Sequence, residues 1–291
     1  MFEDIYEGAV YRPPSEANSL ILQATIGCSW NRCTFCTMFT EKEFRARGLE
    51  GIRTDVEKVL PYYRDTDRIF LADGNALCMD SKELISVLDL LYSRFEKLQR
   101  VTIYGGPIDI VKKTPEELKA LKDAGLSMIY LGLESGSAEV LKRVRKGATP
   151  EMMAEAARKV KGAGIQLSVI FILGLGGKGL TQEHAKATAK VLSEMDPEFA
   201  AGLTLLLEEG APMIDEIEAG RMTLLGPDEV MMELKTLVEG LELSDCIFRT
   251  NHASNYYPIG GKLPEDKERI LAQIDKASSN SHFKREHFRV L

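Results

Sequence analysis

The sequence of 291 residues has few cysteines and no long apolar run. No stretch approaches the roughly 20 consecutive apolar residues that cross a bilayer, so we expect no membrane-spanning segment. Residues 1–9 contain acids and lack the apolar centre of a secretory signal. The cysteines number five, an odd count that does not suit a framework of paired disulfides. Together these absences argue against a membrane or secreted protein and predict a cytoplasmic one.

Basic charge is also scarce, with 37 Lys and Arg residues against 44 Asp and Glu and a net charge of −7. This balance argues against a broad surface that coats nucleic acid, although it leaves room for a local basic patch. The hydrophobic fraction of 44% and the charged fraction of 28% are ordinary for a globular protein with a sizeable core.

From about residue 19, short apolar runs alternate with amphipathic helical stretches. Near-continuous apolar runs are typical of parallel strands buried on both faces. The six runs are residues 19–26, 68–72, 100–105, 128–133, 166–173 and 199–207. They predict an α/β fold in which the parallel strands form a partial (β/α)6 TIM-like barrel, with a flat doubly wound sheet as the alternative. In both folds ligands collect at the carboxyl ends of the strands.

The alternation stops after residue 207, and no linker rich in Gly, Ser or Pro follows. We therefore predict an N-terminal segment at 1–18, a core at 19–207 and an α-rich C-terminal extension at 208–291, packed together as a single domain. Within the core, Thr114-Pro115-Glu116-Glu117 has the pattern of a capping box with proline at the first helical position.

Three cysteines, Cys28, Cys33 and Cys36, follow the first predicted strand with the spacing C-x4-C-x2-C. Four thiolates would complete a structural zinc site or a saturated iron–sulfur cluster, whereas three leave one metal position for a small molecule. A closed zinc site that adds a distant His252 is the alternative, and scattered structural cysteines are a weaker one. The position after a strand favours an active-site metal centre.

This segment resembles the cluster-binding loop of the radical S-adenosylmethionine (radical SAM) superfamily. The usual pattern there is C-x3-C-x2-C with an aromatic residue directly before the last cysteine; Phe35 matches that aromatic, while the first spacing is one residue longer. The resemblance covers about residues 19–207. It implies that the three cysteines bind one [4Fe–4S] cluster, whose open iron binds SAM and cleaves it reductively. The resulting 5′-deoxyadenosyl radical would abstract hydrogen from a substrate, a chemistry that requires anaerobic handling.

The resemblance also implies residues that contact the cofactor at strand ends. Asp73, Gly74 and Asn75 take the place of a Gly-Gly-Glu motif that holds the methionyl ammonium, although a tight turn would also explain them. The segment GLESGS resembles the ribose motif and implies contacts from Glu134 and Ser135, with Arg145 on the methionine carboxylate; a solvated basic helix face is the alternative for Arg145. Gly174 follows the fifth strand, where the family contacts adenine.

For the substrate, the polar segment after residue 247 offers Arg249, His252 and Asn255, which would also suit a plain polar connection. We predict a radical SAM enzyme for a small molecule, with an electron donor such as flavodoxin or ferredoxin. The alternatives are modification of tRNA or a nucleobase, which the acidic balance disfavours without excluding, and a non-catalytic iron–sulfur or zinc module. The two remaining cysteines lie far apart, so we expect a single cluster, and we expect no appended cobalamin domain.

Overall fold

The computed structural model describes residues 5–280 and 283–289. The strands are β1 Leu20–Gln23, β2 Thr25–Ile26, β3 Arg45–Ala46, β4 Arg68–Ala72, β5 Arg100–Tyr104, β6 Leu126–Glu134, β7 Gln166–Leu173, β8 Phe199–Thr204, β9 Cys246–Arg249 and β10 Gly260–Leu263. The helices are α1 Gly48–Tyr63, α2 Ser81–Arg94, α3 Pro107–Lys112, α4 Pro115–Asp123, α5 Ala138–Arg143, α6 Pro150–Gly162, α7 Gly177–Met195, α8 Met213–Glu218, α9 Pro227–Glu239 and α10 Lys267–Asn280.

Contacts between backbone positions divide the chain into two compact units. The first contains the chain up to residue 31, then 38–131 and 158–167; the second contains 32–37, 132–157 and the chain from 168 onward. The predicted segments 1–18, 19–207 and 208–291 are a different partition and remain predictions.

In the first unit, β1, β4, β5 and β6 pair side by side as parallel strands. Gln23 lies opposite Ala72, so the carboxyl ends of β1 and β4 are level with each other. The apolar faces of α1 and α2 supply core residues, and α2 begins where the Asp80 carboxylate accepts two backbone N–H groups. The capping box predicted at Thr114 is confirmed, because its hydroxyl and the Glu117 carboxylate each bond the other's backbone N–H.

In the second unit, β7, β8 and β9 are parallel and β10 pairs antiparallel with β9. Alternate residues of these strands are buried, as Phe171 and Phe248 are, and their rings stack with centroids 6.1 Å apart. The other face is more accessible and carries Ile172, Leu203 and Arg249. Helix α9 packs against both α7 and α10.

The predicted α/β class with parallel strands is confirmed, and each of the six apolar runs contains a strand. The structure differs in the extension, where the polar segment also forms β9 and β10. Only two apolar residues of β9, Cys246 and Phe248, are buried, and a four-residue alternation is too short to stand out in the sequence.

None of the helices in the described ranges is both long enough and apolar enough to cross a membrane.

Candidate active site

The cysteine loop follows the short strand β2. Cys28, Cys33 and Cys36 are half-buried thiols, and Cys36 N–H donates to the Cys33 carbonyl at 3.2 Å in a tight turn. Gly27 precedes them at φ +75°, a backbone conformation that favours glycine. Within residues 5–280 and 283–289, no three side chains of His, Cys, Asp or Glu converge as metal ligands would. The joint ligation predicted for the three cysteines therefore remains a prediction.

Asp73 comes directly after β4 and is 1% exposed. Its Oδ2 accepts hydrogen bonds from Gln23 Nε2 at 3.0 Å, from Gly27 N at 3.1 Å and from Lys42 Nζ at 2.8 Å. Its Oδ1 is buried and has no hydrogen-bond partner among the described residues. A buried carboxylate oxygen without a donor costs free energy, and a hydrogen bond from a bound donor would offset that cost.

Gly74 brings β4 into close contact with the cysteine loop. Its N–H donates to the Gly27 carbonyl at 3.1 Å. A Cβ atom added at residue 74 would lie 2.8 Å from the Cys28 Cβ and 2.7 Å from the Phe39 ring. Glycine is therefore required here for space, and Cys28 packs directly on the end of β4.

Asn75, a predicted cofactor contact, has its side-chain amide bonded within the protein, and its role remains a prediction. The amide is 4% exposed, and its Nδ2 donates to Ser29 Oγ at 2.7 Å and to Asp109 Oδ2 at 2.6 Å. Its Oδ1 accepts from Gly106 N at 2.8 Å. Both ends of the amide are thus used inside the protein, and they tie the residue after Cys28 to the start of α3.

The two cysteines outside the loop lie in surroundings that disfavour the thiolate form. Burial, followed by the negative charge of Asp109, raises the pKa of Cys78 to about 11. Burial, followed by the charge of Asp196, raises the pKa of Cys246 to about 12. Both thiols are therefore harder to ionise than an exposed cysteine.

Phe35 anchors the later part of the cysteine loop within the second unit. Its ring packs against an apolar cluster that contains Val144, Leu175 and Met213. The neighbouring Thr34 donates its N–H to the Val144 carbonyl at 3.0 Å and accepts from Met213 N at 2.9 Å. The structure thus gives the predicted cofactor-binding Phe35 a packing contact.

Glu134 ends β6 with φ +61°. Its Oε1 accepts from Lys146 Nζ at 2.8 Å, and both side chains are mostly buried. The Glu134 side chain lies over Gly132, where an added Cβ would be 2.2 Å from Oε1.

Sequence reasoning missed Lys146 and predicted a role for its neighbour Arg145, which is exposed. The pKa of Glu216 in α8 is lowered first by its bond to Arg221 and, to a smaller extent, by the charge of Arg145.

Ser135, the second residue of the predicted ribose motif, is fully buried. Its hydroxyl lies 2.8 Å from His184 Nδ1 and accepts the Ser137 N–H at 3.0 Å. The hydroxyl therefore has protein partners, and the predicted hydroxyl contact with the cofactor is not favoured.

Gly174, after β7, has φ +82° and donates its N–H to Glu233 Oε1 at 2.6 Å. Neither His184 nor Glu233 was found from the sequence.

The predicted substrate residues lie at the end of β9 and in the segment that follows it, within the second unit. Arg249 is exposed on β9, has no ion pair among the described residues, and lines a groove of about 490 Å³ with Ile247 and Asn251. His252 is half-buried and bonds to Ser254. Burial, followed by the charge of Lys284, lowers the pKa of His252.

Asn255, the third predicted substrate residue, has hydrogen-bond partners at both ends of its amide, and its role remains a prediction. It is 3% exposed, its Nδ2 donates to the Gly202 carbonyl at 2.9 Å, and its Oδ1 accepts from Thr204 Oγ1 at 2.8 Å. The amide thus fastens the polar segment to β8.

Comparison with known proteins gives consistent matches. The profile of the Radical SAM superfamily matches residues 22–192, more than half of the chain. An uncharacterized methyltransferase of Pyrococcus horikoshii is 26% identical over 183 residues, which cover 62% of this chain and 38% of the relative. A tRNA-2-methylthio-N(6)-dimethylallyladenosine synthase of Clostridium botulinum is 24% identical over 208 residues, covering 69% of this chain and 45% of the relative. This chain thus spans less than half the length of these two relatives.

Among solved structures, a radical S-adenosylmethionine methyltransferase from Kitasatospora setae has a TM-score of 0.57 at 20% identity, covering 74% of this chain and 43% of that one. This likeness shows the fold. The chain also supplies residue types that suit the cofactors of the superfamily, because three thiols follow β2 and Asp73 has a buried oxygen without a donor. The chain therefore belongs to the radical SAM superfamily, whose members use a [4Fe–4S] cluster and S-adenosylmethionine.

Proposed function

We propose that this chain is a radical SAM enzyme that acts on a small molecule, with Cys28, Cys33 and Cys36 holding one [4Fe–4S] cluster. When bound, the reduced cluster and SAM supply a 5′-deoxyadenosyl radical that abstracts a hydrogen atom from the substrate. A cytoplasmic electron carrier such as flavodoxin or ferredoxin provides the electron. Cys78 and Cys246 stay outside the ligand set, because they lie far from the loop and from each other in the sequence.

The observation that carries the proposal is the arrangement of Asp73. Gln23, Gly27 and Lys42 hold its Oδ2, so the direction of the carboxylate is set before any ligand binds. Its Oδ1 is then the acceptor for the methionyl ammonium of SAM. Glu134 accepts hydrogen bonds from the ribose hydroxyls, and Lys146 keeps its carboxylate in place.

Arg249 and His252 are the proposed substrate contacts. An exposed guanidinium without an ion pair is suited to an anionic substrate group such as a carboxylate. Substituting Arg249 with Met or His252 with Ala is expected to lower substrate turnover and spare substrate-independent SAM cleavage. Equal loss of both activities would argue against this role. Asn255 is left out because β8 uses its amide.

A second candidate function is modification of tRNA. The similarity to the tRNA-modifying synthase of Clostridium botulinum favours it. Its test is binding of tRNA at several salt concentrations, because phosphate contacts make the affinity fall steeply as salt rises. Tight, salt-dependent binding would replace the small molecule as the proposed substrate.

The test of the proposed function is anaerobic reconstitution with iron and sulfide, followed by dithionite and SAM. We expect about four irons per chain and 5′-deoxyadenosine as the product. The variants C28A, C33A and C36A should each lose both, whereas the matched variants C78S and C246S should keep both. A protein that binds one zinc, shows no cluster absorbance and leaves SAM intact would refute the proposal.

A further inference from the structure

A buried polar network lies at the ends of β6 and β7 within the second unit. His184, from α7, is fully buried, and its Nε2 lies 3.0 Å from the Ile172 carbonyl oxygen. Because a carbonyl oxygen can only accept, Nε2 carries the ring proton and donates it. Burial lowers the pKa of His184 to about 4, so the ring is neutral near pH 7 and its Nδ1 is an acceptor. The Ser135 hydroxyl therefore donates to Nδ1, and His184 bridges the ends of the two strands.

Glu233, from α9, completes the network on the β7 side. It is 1% exposed. Its Oε1 accepts the Gly174 N–H at 2.6 Å, and its Oε2 accepts the Thr181 hydroxyl at 2.5 Å. Gly174 needs this partner because it is buried and its N–H would otherwise be left without an acceptor. The extension thus reaches the strand end that follows β7.

A hydrolytic triad has the same residue types, Ser, His and an acid, yet this arrangement does not suit one. Ser135 and His184 are both 0% exposed, so no substrate reaches the hydroxyl. The His184 Nε2 donates to a backbone carbonyl, and Glu233 Oε1 is 3.7 Å from it, beyond hydrogen-bond distance. The network holds backbone in place and does not activate a nucleophile.

We propose that Glu233 and His184 are positioning residues for SAM, which hold the Gly174 and Ser135 segments at the ends of β7 and β6 in the conformation that binds it. This inference rests on the proposed function, because it assigns those two segments to the cofactor. Glu233 acts through the Gly174 N–H, and His184 acts through the Ser135 hydroxyl and the Ile172 carbonyl. Neither side chain touches SAM. The C-terminal extension, through α9, becomes part of the cofactor-binding apparatus.

The test compares Glu233→Leu, Glu233→Asp and Glu233→Gln with a matched control, Met231→Ala, on the same helix. Leucine removes the acceptor, aspartate shortens its reach, and glutamine keeps an oxygen for the Gly174 N–H. Met231 is 2% exposed and apolar, so its truncation destabilises α9 packing without removing a hydrogen bond. Three quantities are measured: the thermal midpoint, amide hydrogen exchange of a peptide covering 172–177 without SAM, and the dissociation constant for SAM on reconstituted protein.

We expect E233L and E233D to speed exchange in peptide 172–177 and to weaken SAM binding about tenfold, with E233Q close to the native protein. M231A should lower the thermal midpoint without either change. The E233D variant keeps the test decisive if E233L does not fold. His184→Leu is expected to speed amide hydrogen exchange in a peptide covering 133–137.

The proposal is overturned if exchange at 172–177 is unaffected by E233L and E233D, or if M231A reproduces both effects at an equal loss of thermal midpoint. A native protein that binds no SAM would instead refute the proposed function. In that case the exchange data still decide whether Glu233 anchors Gly174, so the two failures can be told apart.

Discussion

Two buried carboxylates, one in each unit, support strand ends in similar ways and differ in their surroundings. Asp73 accepts the N–H of Gly27, and Glu233 accepts the N–H of Gly174. Asp73 also pairs with the ammonium of Lys42 at 2.8 Å, and both of those side chains are almost fully buried. Glu233 has neutral donors only, from Thr181 and Gly174, and no Lys or Arg pairs with it in the part of the chain that the structure describes.

The two carboxylates thus differ in whether a cation lies beside them. A buried carboxylate without a cation pays the full desolvation cost of ionisation, so its pKa rises. Burial raises the pKa of Glu233 to about 7, although its bonds from Thr181 and Gly174 lower it in part. Asp73 instead forms a buried ion pair, in which each partner depends on the other.

The largest effect is expected from breaking the ion pair of the first unit. The D73N variant leaves the Lys42 ammonium buried without an anion, so the free energy of unfolding should fall by about 3–5 kcal/mol. Urea unfolding measures this loss. The double variant K42M/D73N should recover part of it, because no charge remains buried. If D73N unfolds at the same urea concentration as the native protein, the ion pair does not stabilise this strand end.

The second effect is a pH dependence of stability that arises from Glu233. The raised pKa of Glu233 means that its neutral form stabilises the fold below about pH 4.5, and this stability is lost as the pH rises through about 7. Because one pKa unit corresponds to about 1.4 kcal/mol, E233Q should gain up to roughly 3 kcal/mol relative to the native protein across this window.

The neighbouring groups of Glu233 define the control for this experiment. From α7, His184 has a lowered pKa, so its contribution is lost as the pH falls from 6.5 towards 4, in both proteins alike. The charged pairs Lys178–Glu229 and Lys235–Asp275 are more exposed. Urea unfolding of both proteins at pH 5, 6, 7 and 8 gives the difference directly. A difference that does not change with pH would show that Glu233 ionises normally.

A third experiment tests the close packing of Gly74 at the end of β4, with a glycine inside a helix as the control. G74A places a Cβ against Cys28 and Phe39, so we expect a loss of about 1–3 kcal/mol and a lower iron content after reconstitution. The matched variant G179A, within α7, adds a Cβ with nothing within 4 Å and should be neutral or slightly stabilising. Gly174 has more space, with Leu205 Cβ at 3.8 Å, and is constrained by its φ of +82° instead. Unchanged iron content in G74A would argue against the Cys28 contact.

The smallest expected effect comes from removing one hydrogen bond to the Glu233 carboxylate. T181V removes the hydroxyl that bonds to Oε2 and should raise the pKa of Glu233 further, because burial is then opposed by the Gly174 N–H alone. We expect the free energy of unfolding above pH 7 to fall by about 1 kcal/mol. The loss of stability with rising pH should also extend to a higher pH than in the native protein. Titration followed by NMR of the labelled Glu233 carboxyl carbon measures the pKa. A lower pKa in T181V would contradict the assignment of the hydroxyl as donor.

Much of the fold could be predicted because its signals are local. The apolar runs predicted β4, at 68–72, and β7, at 166–173, with the observed bounds, and the Thr114 capping box needed only four residues. The polar segment after residue 245 concealed β9, because a four-residue strand with two buried side chains leaves little periodicity. The spacing of Cys28, Cys33 and Cys36 pointed to the superfamily for the same reason, since its pattern lies within nine residues.

The candidate site was predicted less completely, and the residues missed share a cause. Lys42 pairs with Asp73 across 31 residues, and Glu233 bonds to Gly174 across 59. No periodicity or motif encodes such pairings. Arg145 was predicted because a guanidinium suits a carboxylate. In the structure Arg145 is exposed, and its neighbour Lys146 bonds to Glu134. Asn75 and Asn255 carried the right chemistry, yet both amides are used within the protein.

The sequence by itself predicted the fold class and six of the strands from periodicity, and the superfamily from the resemblance of its cysteine motif, because these signals lie in neighbouring residues. The tertiary structure alone decided which polar side chains are buried, which of them have a cation beside them, and which still have an unused atom. Desolvation and hydrogen bonding depend on every group packed around a side chain, and packing brings those groups from distant parts of the chain. For this reason Asp73 Oδ1 has no hydrogen-bond donor among the described residues, while both ends of the Asn75 amide are bonded within the protein.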